Sequence, residues 1–138
     1  MRGLAAALMC AGLMPGTADA ATLVNDGGRL TYTGAAGEQN TIEFEPAFGG
    51  AVHVGPMKGS VSGCKLARDT IFTCTGMSTI TADLGDGDDL VFAGGLWQSF
   101  LNGGPGDDDL VVFPPGYGSV LTGGPGIDTA TFATRDGG

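Results

Sequence analysis

The sequence predicts an all-β protein, a short β-rich N-terminal segment followed by a β-solenoid. Three observations carry that expectation. Glycine supplies 27 of 138 residues without a Gly-X-Y period, which excludes collagen and disfavours helices. Short runs rich in β-branched, aromatic or alternating residues are separated by Gly, Asn and Asp turn signals, with no helical period of useful length. The second half also repeats itself at a spacing of about twenty residues, and self-similarity at a fixed period of that size means stacked turns. A chain of 138 residues buries one core, so a two-domain enzyme is excluded.

Residues 1–20 read as an export signal. Arg2 supplies the positive start, Leu4 to Met14 forms the apolar run, Pro15-Gly16 breaks it, and Ala18-Asp19-Ala20 resembles a cleavage site. The run is too short to span a bilayer, which needs about twenty apolar residues. The mature chain is therefore expected to be secreted, extracellular and without a membrane span. Loss of Cys10 with the signal leaves Cys64 and Cys74, an even pair in an oxidising compartment, and these are expected to form a disulfide.

Residues 21–82 form the β-rich segment. Thr22-Leu23-Val24 and Leu30-Thr31-Tyr32-Thr33 flank Asn25-Asp26-Gly27-Gly28, a strong hairpin turn signal. Thr41-Ile42-Glu43-Phe44-Glu45 alternates as a half-buried strand does, with Glu43 and Glu45 on a solvated face. Ala51 to Val54 and Ile71 to Cys74 are further β runs. His53, the single histidine, has no identifiable nucleophile beside it and reads as a strand residue.

Residues 83–138 hold the repeats. Gln98-Ser99-Phe100-Leu101-Asn102-Gly103-Gly104-Pro105-Gly106-Asp107-Asp108 aligns with Gly118-Ser119-Val120-Leu121-Thr122-Gly123-Gly124-Pro125-Gly126-Ile127-Asp128. A third copy, Leu84-Gly85-Asp86-Gly87-Asp88-Asp89, lies nineteen residues before Asp108. The charge is concentrated here too. The net charge is -9, no Lys or Arg occurs between Arg68 and Arg135, and eight aspartates fall from Asp83 to Asp128. Such a surface repels nucleic acid and anionic membrane and attracts cations.

These residues resemble the hemolysin-type calcium-binding repeats of the repeats-in-toxin (RTX) family, whose nonapeptide is G-G-x-G-x-D-x-U-x with U a large apolar residue. Gly103 to Val111 matches every defined position. Gly123 to Thr131 matches all but the apolar slot, where Ala130 is small, and Leu84 to Phe92 departs at the first glycine. The resemblance implies a parallel β-roll, a full turn being two nonapeptides, with each ion held between the loops of two turns stacked along one edge. It implies two calcium sites, one between loops 85–89 and 103–108 and one between loops 103–108 and 123–128. Asp89, Asp108 and Asp128 would be the primary carboxylates. The loop residues Gly85, Asp86, Gly87, Gly103, Gly104, Pro105, Gly106, Gly123, Gly124, Pro125 and Gly126 would complete the shells. The half-turns Ala93 to Asn102 and Pro114 to Thr122 lack the aspartate, so no calcium is expected on the opposite edge.

The chemistry agrees with that implication. Calcium takes six to eight oxygens, and backbone carbonyls supply most of them where glycine lets the chain turn sharply. An EF-hand is not expected, because its loop ends in Glu and no Glu occurs after Glu45. Trp97, Phe100 and Tyr117 are expected to pack or cap rather than to bind carbohydrate. No nucleophile, base and orienting group assemble, so no catalysis is expected. The expected function is a secreted calcium-binding module whose repeats fold on binding calcium, with a structural or interaction role and an unidentified protein or cell-surface partner. The alternative is the N-terminal piece of a larger secreted RTX-type enzyme or adhesin in which the repeats act as scaffold. Thr134 to Gly138 follows a repeat strand without a polar capping turn, so the sequence is expected to be either a truncated product or the front of a longer protein.

Overall fold

A computed structural model describes residues 20 to 94, 97 to 113 and 118 to 133. The expected export signal, residues 1–20, lies outside the described residues except for Ala20, as do Tyr117 and the segment from Thr134. Among the described residues the regular structure is all β apart from one 3-10 turn at Phe48–Gly50. No described helix is long and apolar enough to cross a membrane.

The first hairpin forms where the turn signal puts it. Strands β1 (Ala21–Asn25) and β2 (Arg29–Thr33) pair antiparallel, with Leu23 opposite Tyr32. Asp26 closes the turn, its carboxylate accepting from the amides of Gly28 at 2.9 Å and Arg29 at 2.8 Å. Those N–H groups, Arg29 first, hold the exposed carboxyl below its ordinary range. Strands β3 (Thr41–Pro46), β4 (Val52–Gly55), β5 (Gly59–Ser62), β6 (Lys65–Arg68) and β7 (Ile71–Cys74) follow. Neither β5 nor β6 is announced by the sequence, because every residue of β6 is exposed and β5 is small and polar. The repeat half contributes β8 (Thr79–Asp83), β9 (Leu90–Ala93), β10 (Gln98–Asn102), β11 (Asp109–Val112), β12 (Val120–Thr122) and β13 (Thr129–Phe132).

These strands make two sheets, ordered β12-β10-β8-β2-β1-β5 and β13-β11-β9-β3-β4-β7-β6. The all-β class is as expected, but both sheets are mixed, not parallel throughout. The repeat strands pair in parallel, but β2 and β3 of the first half join the same parallel rows, through β2 with β8 and β3 with β9. Beyond them the pairs β1–β2, β3–β4, β4–β7 and β6–β7 are antiparallel, and β5 closes the first sheet parallel to β1. The physical reason is local: hairpin turns return the chain antiparallel, whereas loop-linked strands that change sheet stack parallel.

Four tiers result, each a strand, an edge loop and a strand in the facing sheet. They are β2–loop–β3, β8–loop–β9, β10–loop–β11 and β12–loop–β13. The parallel registers put Thr33, Asp83, Asn102 and Thr122 in one row and Thr41, Leu90, Asp109 and Thr129 in another. Inward side chains stack between the sheets. Tyr32, Ala82, Leu101 and Leu121 form one column, Ile42, Val91, Leu110 and Ala130 a second, and Phe44, Ala93, Val112 and Phe132 a third. Most of these are fully buried, each worth about 1.5–3 kcal/mol relative to exposure for the larger ones. Trp97 packs into this core, whereas Phe100 is partly exposed on the outer face of β10. Glu43 and Glu45 are both exposed, as the alternation along β3 requires.

Cys64 and Cys74 are disulfide-bonded, as expected, and the bridge joins the residue before β6 to the last residue of β7. It secures a hairpin whose first strand is wholly exposed and buries little. Replacing both cysteines by serine is expected to cost about 2–3 kcal/mol, through the freedom returned to the unfolded chain. Urea unfolding of the variant against the parent measures this, and an unchanged midpoint would remove the bridge from the account of stability.

Candidate functional site

Loops 34–40, 84–89, 103–108 and 123–128 stack along one edge, about 4.8 Å apart as neighbouring strands are. The structure therefore brings together the three repeat loops picked out from the sequence. It also adds a fourth, Gly34 to Asn40, which the fixed period does not reveal. Asn40 precedes Thr41, and the β3–β9–β11–β13 register places it in one column with Asp89, Asp108 and Asp128.

That inner column is hydrogen-bonded from tier to tier. Asp89 Oδ1 accepts from the Asn40 amide N at 2.6 Å, Asp108 Oδ1 from the Asp89 amide at 2.9 Å, and Asp128 Oδ1 from the Asp108 amide at 3.0 Å. Asp89 and Asp108 are each 2% exposed. Their second oxygens, Asp89 Oδ2 and Asp108 Oδ2, are buried without a hydrogen-bond partner. Buried carboxylate oxygens without partners are costly and uncommon. Burial pushes the Asp89 carboxyl up to about 6, with Asp108 and Asp86 adding to the rise and the Asn40 hydrogen bonds opposing it. Burial likewise raises Asp108, opposed by the Asp89 amide and reinforced by Asp128, Asp88 and Asp107. The stretch that carries these carboxylates has no Lys or Arg between Arg68 and Arg135, although Lys58 lines a pocket together with Glu38 and Asn40 of the first tier.

An outer column runs alongside. The Asp107 amide donates to Asp88 Oδ1 at 2.8 Å, the Ile127 amide to Asp107 Oδ1 at 2.8 Å, and the Gly37 amide to Asp86 Oδ1 at 2.6 Å. Asp88 and Asp107 thus tie tiers together, a role the sequence does not reveal. Asp86 is exposed and engaged with the first tier, not with the inner column. Pro105 and Pro125 are exposed, and their carbonyls accept from the amides of Gly87 and Gly106.

Two glycines explain the spacing of the motif. Gly104 has φ +90°, and a Cβ there would lie 2.5 Å from the carbonyl oxygen of Gly85. Gly106 has φ +128°, and its Cβ would collide with the Gly87 carbonyl. Carbonyls of one tier therefore nest against bare backbone of the next. Gly106→Ala is expected to lose on the order of 2 kcal/mol or more, from strain at positive φ together with displacement of that carbonyl. Thermal unfolding checks this, and a variant as stable as the parent would contradict the close approach.

Among the described residues no three His, Cys, Asp or Glu side chains converge as a metal-binding group. What the arrangement offers is a line of single carboxylates, one in each of the second, third and fourth tiers, headed by the Asn40 amide in the first. Asn40 was missed because its loop is one residue longer than the repeats and ends in an amide instead of a carboxylate. The spacing of 49 residues to Asp89 also hides it. No family model, no curated protein and no solved structure matches this chain.

Proposed function

We propose that the chain is a secreted calcium-binding protein of the repeats-in-toxin kind, its glycine and aspartate loops forming the edge of a parallel β-roll, with a structural or interaction role and no catalysis. The observation that carries this reading is the pair of carboxylate oxygens, Asp89 Oδ2 and Asp108 Oδ2, buried without a hydrogen-bond partner. The surroundings fit a hard cation. The loop carbonyls offer neutral oxygens, and the glycines that a Cβ would obstruct let those oxygens approach. Asp89 with Asp108 would hold one ion and Asp108 with Asp128 a second, each with carbonyls from loops 84–89, 103–108 and 123–128. Bound there, calcium would supply the positive charge and coordination that these carboxylates lack.

Ion binding is thereby coupled to ordering of the repeat edge, since aspartates crowded on one side repel in its absence. Calcium is abundant outside cells, which suits a chain that sets after export. A calcium titration followed by far-UV circular dichroism, with magnesium as control and calcium counted by native mass spectrometry, tests the reading. The expected result is a saturable, calcium-specific rise in β signal with two ions bound; a chain that binds no calcium refutes it.

A second reading is that the repeats scaffold a larger secreted enzyme or adhesin, and the apolar side chains exposed on the last described tier would be a surface for it. Ile127 is 80% and Phe132 64% exposed there. Strands β12 and β13 pair on one side only among the described residues. A reading frame continuing past Gly138 supports it, and a stop codon directly after Gly138 removes it.

A further inference from the structure

We propose that Asn40 is a built-in substitute for a cation, closing the aspartate column at its first tier, and that a carboxylate at this position turns the gap between loops 34–40 and 84–89 into an additional calcium site. The proposal deepens the calcium reading and rests on it for the identity of the ion.

The evidence is the surroundings of one nitrogen. Asn40 is 8% exposed, and its side-chain Nδ2 lies 2.9 Å from Leu84 O, 3.0 Å from Asp89 Oδ1, 3.1 Å from Glu38 O and 3.4 Å from Ala35 O. An amide nitrogen carries two hydrogens, so four oxygens exceed what it can satisfy with linear hydrogen bonds. An all-oxygen nest of this kind, with one carboxylate and three carbonyls, is the donor set of a hard cation. The orientation of the amide follows from its other end, where Asn40 Oδ1 accepts from the Ala35 amide at 3.3 Å.

The tiers below present the same place with the opposite polarity. A Cβ on Gly34 would lie 2.8 Å from Asn40 Nδ2, whereas one on Gly103 or Gly123 would meet Oδ2 of Asp108 or Asp128. The amide nitrogen thus occupies the position that a carboxylate oxygen takes in the third and fourth tiers. Where a carboxylate oxygen stands there it has no hydrogen to donate, and Asp108 Oδ2 is buried without a partner. Where nitrogen stands there, it donates directly to the next tier, to Leu84 O and Asp89 Oδ1. Asn40 supplies internally the positive end that the lower gaps would take from an ion. It also sets how many ions the column holds.

The test compares the full chain with Asn40→Asp, counting bound calcium by native mass spectrometry with magnesium as the control ion. The expected result is one more calcium on the variant than on the parent, whatever the parent's count. Equal counts on the two folded chains overturn the inference even if both bind two ions, which would leave the calcium reading standing. No ion on the parent and one on the variant would do the reverse.

Hydrogen exchange on the unaltered chain provides a second arm should the variant fail to fold. Chelation is expected to raise exchange at the amides of loops 103–108 and 123–128 while Ala35 and Asn40 stay protected. Opening of loop 34–40 together with the others would overturn the inference.

Discussion

Asp108→Asn is expected to abolish calcium binding at both proposed sites while making the calcium-free chain more stable. In the proposed arrangement Asp108 would be the one carboxylate shared by both ions, so exchanging its charge for an amide would remove a ligand from each. The expected loss is on the order of 100-fold or more in affinity, about 3 kcal/mol, as for removal of a charged, desolvated partner. In chelator the sign reverses. Asp108 is 2% exposed with Oδ2 unpartnered, and Asp128, Asp88 and Asp107 add like charge around it. An amide of the same shape removes that charge and brings a donor, as Asn40 does in the first tier. Asp128→Asn touches only the lower gap and is expected to remove a single ion. Isothermal titration with calcium and thermal unfolding in chelator measure the two halves of the prediction. A variant that keeps the parent's affinity, or that is less stable without calcium, would refute the role given to Asp108.

Phe44→Ala is expected to destabilise the whole molecule by about 3–5 kcal/mol, including the repeats that lie far from it in sequence. Phe44 is fully enclosed at 2% exposure and packs edge-on against Tyr32, with ring centroids 6.4 Å apart. It belongs to the inward column that continues through Ala93 and Val112, so the cavity opens in a core both halves share. Trp97, the single tryptophan, is buried in that core just before β10 and reports on the repeat half. Urea unfolding followed by tryptophan fluorescence and by circular dichroism is expected to give one coincident transition, shifted to lower denaturant in the variant. A fluorescence transition unmoved by Phe44→Ala would mean that the repeats stand on a core of their own.

Much of this architecture is legible in the residues alone, for identifiable reasons. Local chemistry fixes the hairpin at Asn25 to Gly28, because Asp26 can satisfy two amides of its own turn. Alternation fixes the buried face of β3, and Cys64 and Cys74, the only two cysteines of the sequence after residue 20, form the bridge. The repeated offsets of glycine and aspartate align Asp89, Asp108 and Asp128, because stacking equal turns can only superpose equal positions.

The first tier was decided elsewhere. β2 and β3 enter the parallel rows only after the chain has made β4 to β7, so a search for a fixed period passes over them. The mixed sheets have the same origin, since hairpins built on β1 and β3 extend each sheet away from the repeats. Asn40 is the sharpest case. In the sequence it is an ordinary turn residue at the end of a loop. Its meaning depends on oxygens from Ala35, Glu38, Leu84 and Asp89, two of them more than forty positions away, and only the folded stack brings them around one nitrogen. Repetition determines which residues are equivalent; the tertiary structure decides which tier buries an amide donor and which bury carboxylate oxygens without a partner.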